Sequence, residues 1–299
     1  MLYLSSTAFP VDILDDPAAA CLRGVAAVEI SGGHAHRPWP ELLTRLDALR
    51  ERGIALLFHN YVPAPRRSFV LNFATADAAV LDASLELAGQ ALDLCARYGA
   101  PYYSFHPGYL ADAAEQPDGQ FAFRDDPAGG YAGTLERFHA VFGRLHAMAR
   151  ERGVRLALEN LFMPPGRRTS LNTTLGEMRE LLAPLPEDVL LLIDFGHLNV
   201  SAHYQGFDKW EYLEAVRREY GDRVAEIHLS GNDGAFDQHL PLEPGDWQLS
   251  ALAAFARCPG AQGRGVHVTI ESRRLDQAAL HRVARLTADA LAAANFPET

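Results

Sequence analysis

The sequence predicts an α/β fold, a (β/α)8 TIM barrel forming a single domain over residues 1–299. Three observations carry that expectation. Eight short apolar runs recur along the chain, and amphipathic stretches of helical period lie between them. Several of those stretches end alike, on a glycine just ahead of the next run. Eight strand–helix units in 299 residues suit a barrel, which needs roughly 250 residues before loop insertions.

In chain order, the first run is 2–5 and the second, 25–30, follows Leu22-Arg23-Gly24. A helical pattern over 41–51 stops at Glu51-Arg52-Gly53 before the third run, 54–58. The helix over 77–98 stops at Arg97-Tyr98-Gly99 before 101–105, and that over 135–151 at Glu151-Arg152-Gly153 before 154–158. The sixth run is 189–193; a helix over 210–220 then stops at Glu219-Tyr220-Gly221, and runs 224–229 and 266–270 close the series. Continuous Val, Ile and Leu suit strands buried on both faces of a parallel sheet. Glycine past a helix end takes the left-handed conformation that stops it, and a cation in the last turn suits the helix dipole. Gly- and Pro-rich patches at 61–67, 108–133, 163–172 and 229–247 follow strands. They are expected as the βα loops of an active face, with 108–133 as a lid. Neither an interdomain linker nor a low-complexity tract interrupts the pattern.

Composition removes several functions. The net charge is −11, which disfavours a generic binder of nucleic acid or anionic membrane. Cys21, Cys95 and Cys258 are odd in number and show no CxxC spacing, so a disulfide framework is not expected and a reducing cytoplasm is the simplest location. The opening MLYLSSTAFPVDILDD has no basic segment leading into a long apolar one, so no secretory signal is expected. No stretch reaches the ~18 uninterrupted apolar residues of a membrane helix. Lys209 is the sole lysine, ahead of WEYLEAVRREY, which argues against Schiff-base chemistry. GxxxxGK[ST] and strand-linked GxGxxG loops are absent.

The residues that close the runs carry the chemistry. The third run meets His59, the fourth His106, the fifth Glu159 and the sixth Asp194 followed by His197. The seventh contains His228, the eighth meets Glu271, and the loop after the seventh adds Asp237 and His239. Barrel strands end on one mouth, so nine potential ligands would face one pocket. Imidazole and carboxylate without thiolate suit Zn, Mn, Fe(II) or Co. Carboxylates this close require cations to offset their repulsion. Single strand-end histidines usually have structural roles; the ordered series is what points to metal. His34 and His36 follow the second run; a structural role is expected of them first, and contact with the substrate only weakly. Glu29 ends that run, and its role is open between lining the pocket and bracing a neighbour.

FHPG at 105–108, LALEN at 156–160, IDFGH at 193–197, EIHLSGNDG at 226–234, DQH at 237–239 and TIES at 269–272 resemble, in order and over nearly the whole chain, the xylose isomerase-like barrel superfamily. The resemblance implies two ligand patterns. Sugar and sugar-phosphate isomerases and epimerases hold one divalent ion, here through Glu159, Asp194, His228 and Glu271. The endonuclease IV type holds three zinc ions. Here that pattern gives His59, His106 and Glu159; Glu159, Asp194, His228 and Glu271; and His197, Asp237 and His239. One to three ions per chain are therefore expected.

Three functions fit this mouth. The first is isomerisation or epimerisation of a sugar, sugar phosphate or related hydroxy-ketone through an enediolate. In it Glu159 and Glu271 exchange the proton, with His197 and His106 as further catalytic groups. Arg273, His59, Asn160 and Trp247 would contact the substrate, and Tyr109 would offer a second stacking ring. The second is multi-metal phosphodiester hydrolysis on abasic DNA, with Arg66-Arg67, Arg167-Arg168 and Arg273-Arg274 as phosphate contacts. The third is another metal-dependent reaction such as lyase chemistry, or metal binding without catalysis. Loop segments 59–65 and 232–242 resemble the sugar-isomerase branch and place it first. The expected partner is a small molecule; homo-oligomerisation is left open.

Overall fold

The computed structural model describes residues 1–21, 26–115, 121–123, 130–163, 166–255 and 265–293. Among the described residues there are ten strands: β1 (Leu2–Ser5), β2 (Ala27–Ile30), β3 (Ala55–His59), β4 (Tyr102–Phe105), β5 (Ala113–Glu115), β6 (Phe121–Phe123), β7 (Arg155–Glu159), β8 (Leu190–Asp194), β9 (Val224–Leu229) and β10 (His267–Ile270). Eight of them close a parallel barrel in the order β1-β2-β3-β4-β7-β8-β9-β10, with β10 pairing back onto β1. Between and after them run α1 (Trp39–Glu51), α2 (Ala78–Tyr98), α3 (Gly130–Glu151), α4 (Leu175–Leu182), α5 (Phe195–Gln205), α6 (Lys209–Tyr220), α7 (Trp247–Phe255) and α8 (Gln277–Ala293). This is the (β/α)8 barrel expected from the periodicity. No described helix is long and apolar enough to cross a membrane.

The helices form for identifiable reasons. In α2, Leu85, Ala88, Leu92 and Cys95 recur at helical spacing and are buried. A fully buried Leu contributes about 1.5–3 kcal/mol relative to exposure. The Asp77 carboxylate caps the start of α2, accepting from the N–H groups of Ala79 (2.8 Å) and Val80 (3.3 Å). Gly99, at φ 73°, ends it in the left-handed region. Gly53 and Gly153 also take positive φ after their helices. Gly221 does not: it stays right-handed at φ −57°, and the chain turns instead through an Arg223 N–H bond to the Tyr220 carbonyl. Gly24 lies outside the described residues, as does Cys258.

The 108–133 segment contains an antiparallel β5–β6 hairpin, and its last four residues belong to α3, which begins five residues before the expected start. The base of the segment is stitched to the next βα loop by Leu110 N–H to Thr169 O and Leu171 N–H to Gly108 O. Residues 116–120 and 124–129 of the expected lid lie outside the described residues.

One irregularity positions the mouth. Leu191 pairs with Val224, yet Leu192 pairs with Glu226, so β9 carries an extra residue at this point. Beyond it Asp194 pairs with His228 rather than with Ile227.

Candidate metal centre

All nine strand-end and loop residues reach the C-terminal mouth. Glu159, last in β7, is fully buried. Its Oε2 lies 3.1 Å from His106 Nε2 and 3.4 Å from His59 Nε2, and its Oε1 lies 3.1 Å from His197 Nδ1. His228 Nδ1 faces Glu271 Oε2 at 3.5 Å and Asp194 Oδ2 at 3.9 Å. Asp237 Oδ2 sits between His197 Nε2 (3.5 Å) and His239 Nε2 (2.7 Å). Asp194 ends β8 and caps α5 with no loop between, accepting the His197 N–H at 2.6 Å. The helix start thus fixes both residues. Gly196 lies between them because nothing larger fits: a Cβ there would stand 2.6 Å from Ser230 Oγ and 3.1 Å from Asp194 Oδ1.

Hydrogen bonds on the far side of each imidazole decide which nitrogen faces the centre. His197 Nδ1 lies 2.9 Å from the Asn160 carbonyl and His239 Nδ1 lies 3.0 Å from the Glu271 carbonyl. A carbonyl only accepts, so both Nδ1 atoms carry the proton and both Nε2 atoms face Asp237. The Nδ1–H of His197 is thus directed to Asn160 and leaves Glu159 Oε1, 3.1 Å away, without a well-aligned donor, while His197, Glu159 and Asp194 bring donor atoms within 4.8 Å of one another. His106 Nδ1 bonds the Tyr109 hydroxyl at 2.7 Å. The Asn60 Oδ1 accepts the His106 backbone N–H, so its Nδ2 donates to His59 Nε2 at 2.7 Å, and His59 Nδ1–H turns to Ser104 Oγ at 3.0 Å. His228 Nε2 bonds Glu29 Oε2 at 3.2 Å, which leaves Nδ1 as the lone pair.

Six buried or nearly buried carboxylates (Glu29, Glu159, Asp194, Glu226, Asp237, Glu271) meet these five imidazoles. Burial raises a carboxyl and opposing imidazoles lower it. Burial pushes Asp194 up to about 7, with Glu159 and Glu271 adding to the rise. Burial opposes ionisation of Glu159 too, but His106 and His59 outweigh it and hold the group well below its usual range. His228 does the same for Glu271, which falls to about 2. Both oxygens of Glu159, Asp194 Oδ2, His228 Nδ1 and Asp237 Oδ1 are buried without a well-aligned hydrogen-bond partner. Such atoms, with imidazole lone pairs among them, form the donor set a divalent cation requires.

Glu159–His59–His106 and Asp194–His228–Glu271 each bring their donor atoms within 4.8 Å of one another.

Other expected contacts fall elsewhere. Trp247 begins α7, stacked on Phe195 (ring centroids 5.7 Å apart) with Lys209 Nζ 4.1 Å from its ring centroid, so it packs within the fold rather than against a sugar. Asn160 clamps β7 to β8, accepting from the Asp194 N–H (2.8 Å) and donating to the Asp194 carbonyl (3.0 Å). It positions Asp194. His59 is buried on the floor of the site, and Arg273 is exposed. Tyr109 is buried behind His106. Arg168 pairs with Glu177 and lies over the Tyr131 ring, and Arg167 donates to the Phe123 carbonyl, so both hold loops together.

Glu226 lies within its strand and is not among the strand-end residues that the sequence points to. The period of two along a strand was the available signal, since it places residues 226 and 228 on one face.

Comparison with known proteins agrees with this architecture. The chain is 36% identical over 134 residues to a UPF0276 protein of Acaryochloris marina, covering 42% of this chain and 46% of that one. It spans about half the length of the curated relatives it matches. Among solved structures, a D-tagatose 3-epimerase-like protein superposes with a TM-score of 0.74 at 18% identity, covering 98% of both chains. Endonuclease IV of Thermus thermophilus superposes with a TM-score of 0.61 at 20% identity, covering 97% of this chain and 98% of that one. Identities this low establish shared fold. The family model described as xylose isomerase-like TIM barrel matches residues 18–293, and the chain belongs to that family.

Proposed function

We propose that the protein is a divalent-metal-dependent isomerase or epimerase acting on a sugar, sugar phosphate or related hydroxy-ketone. The observation that carries this reading is the convergence of buried, unpartnered carboxylate oxygens on imidazole lone pairs at the barrel mouth. Glu159, Asp194, His228 and Glu271 would hold the principal ion. A bound divalent cation would supply Lewis-acid polarisation of adjacent substrate oxygens.

The chain supplies the proton transfers. Glu271 is the more accessible carboxylate, its side chain 12% exposed against 1% for Glu159. It would take the proton from the carbon beside the carbonyl, and Glu159, after taking a proton from solvent, would return it to the same carbon for epimerisation, while Glu271 loses its proton to solvent. His106, 16% exposed, contacts a substrate hydroxyl from the opposite wall. The nearly closed floor favours a small substrate over a polymer. So do the engagement of Arg167 and Arg168 within the fold and the net charge of −11.

The trio of His197, Asp237 and His239 exceeds a one-ion set and favours a second reading, multi-metal phosphodiester hydrolysis. Metal-loaded protein should be incubated in D2O with a panel of ketoses and ketose phosphates, and separately with an abasic-site duplex. Deuterium wash-in beside the carbonyl, lost in Glu271→Gln, is the expected result. Duplex cleavage without wash-in on any substrate would replace the first reading with the second.

A further inference from the structure

Glu29 lies on β2 and is fully buried. It stands behind His228, on the side away from Asp194 and Glu271. His59, His106 and His239 have their outward nitrogens held by neutral groups: Ser104 Oγ, the Tyr109 hydroxyl and the Glu271 carbonyl. For His228 the holder is a carboxylate, Glu29 Oε2, 3.2 Å from Nε2. Glu226 does not share the task. Its Oε1 accepts the Thr269 hydroxyl at 2.6 Å and stands 3.7 Å from His228 Nε2, beyond hydrogen-bond reach.

We propose that Glu29 is a positioning residue for the metal centre: it takes the Nε2–H of His228 and so commits Nδ1 as the ligand nitrogen. The opposite tautomer would set the Nε2 lone pair against an acceptor. A carboxylate in this place orients the ring and makes it a stronger donor. Glu29, His59 and His228 also have donor atoms within 4.8 Å of one another. Using them as a separate ion site would require His228 Nε2 to bind the ion, leaving Nδ1 protonated, buried and without a hydrogen-bond partner, so the bracing role is preferred. The inference rests on the proposed function in one respect, that the mouth holds divalent ions.

The test compares full-length wild type, Glu29→Met and Glu29→Gln. Each is stripped with chelator and reloaded with Co(II) or Mn(II). Ion stoichiometry, affinity by chelator competition and the melting temperature of the stripped protein are read. Glu29→Met should bind the same number of ions, one of them 10–100-fold more weakly. Stripped, it should melt below stripped wild type, because the buried Nε2–H of His228 loses its acceptor, so ion affinity and stoichiometry rather than melting temperature carry the comparison. Glu29→Gln still accepts through its amide oxygen and should recover most of the affinity; Met fills a similar volume without accepting, so the difference between the two variants reads the hydrogen bond, and the comparison of Glu29→Gln with wild type remains even if Glu29→Met fails to fold. Wild-type affinity in Glu29→Met, one ion fewer in either variant, or no recovery in Glu29→Gln would overturn the role of Glu29. Wild type that takes up no ion would overturn the metal-dependent reading itself.

Discussion

Replacing Glu159 by Gln alters the group on which three imidazoles converge. The substitution preserves shape and removes charge. His106 and His59 hold the carboxyl well below its usual range against burial, so the ionised form is net stabilised in the folded protein. Breaking one side of a buried pair of this kind costs about 3–5 kcal/mol. At about 2 °C per kcal/mol, suited to a long chain, the stripped variant should melt roughly 6–10 °C below stripped wild type near pH 7. The sign in pH follows. A depressed carboxyl contributes stability above the unfolded value of about 4.3, and that contribution is lost as pH falls through the folded value, so the gap should close on acidification. Glu159 also belongs to two donor clusters, so the variant should carry at least one ion fewer by elemental analysis and lose turnover. A stripped variant as stable as wild type at neutral pH, with full ion content and activity, would contradict this account of the site.

Gly196→Ala should cost about 1–3 kcal/mol and reduce ion uptake, because its Cβ meets Ser230 Oγ at 2.6 Å and crowds Asp194; chemical denaturation and elemental analysis check both. If His197, Asp237 and His239 hold an ion of their own, Asp237→Asn should lower the measured stoichiometry by one while the Asp194–His228–Glu271 group keeps its ion; an unchanged stoichiometry would leave the trio without one. Asp12 lies in the loop after β1, where its carboxylate meets His34 at 2.6 Å and Arg37 at 2.8 Å. Burial raises its pKa, but these partners prevail and lower it. Asp12→Asn should therefore cost about 1.5–3 kcal/mol at pH 7. That difference is present above the unfolded value near 3.9 and shrinks as pH falls through the depressed folded value, as urea titrations at several pH values would show.

Much of the barrel was legible in the chain because its signals are local. The runs ending near His59 and Asp194 are apolar through their length, and that ending near Glu159 is apolar apart from Arg155 at its start, as suits strands covered on both faces, and the structure extends β3, β7 and β8 onto those terminal residues. Helices α1, α2, α3 and α6 show the expected period. Helix α5 was harder to read: Phe195, Gly196, His197, Leu198, Val200 and Ser201 are all buried, so no polar stripe marks its outer face. Trp247 looked like a loop residue in a Gly/Pro-rich patch, yet it starts a helix and packs on Phe195.

The order of residues alone specifies the strand–helix alternation, the residue types at each strand end and the imidazole–carboxylate character of the mouth, since periodicity and side-chain chemistry are written residue by residue. Closure of the barrel settled the rest. The extra residue in β9 set Asp194 beside His228. Backbone carbonyls from distant segments fixed the protons of His197 and His239. Glu29, 199 residues from His228 in the chain, became its neighbour. Tautomer, register and burial are properties of which groups meet across the sheet, and those meetings exist only once the ring of strands is complete.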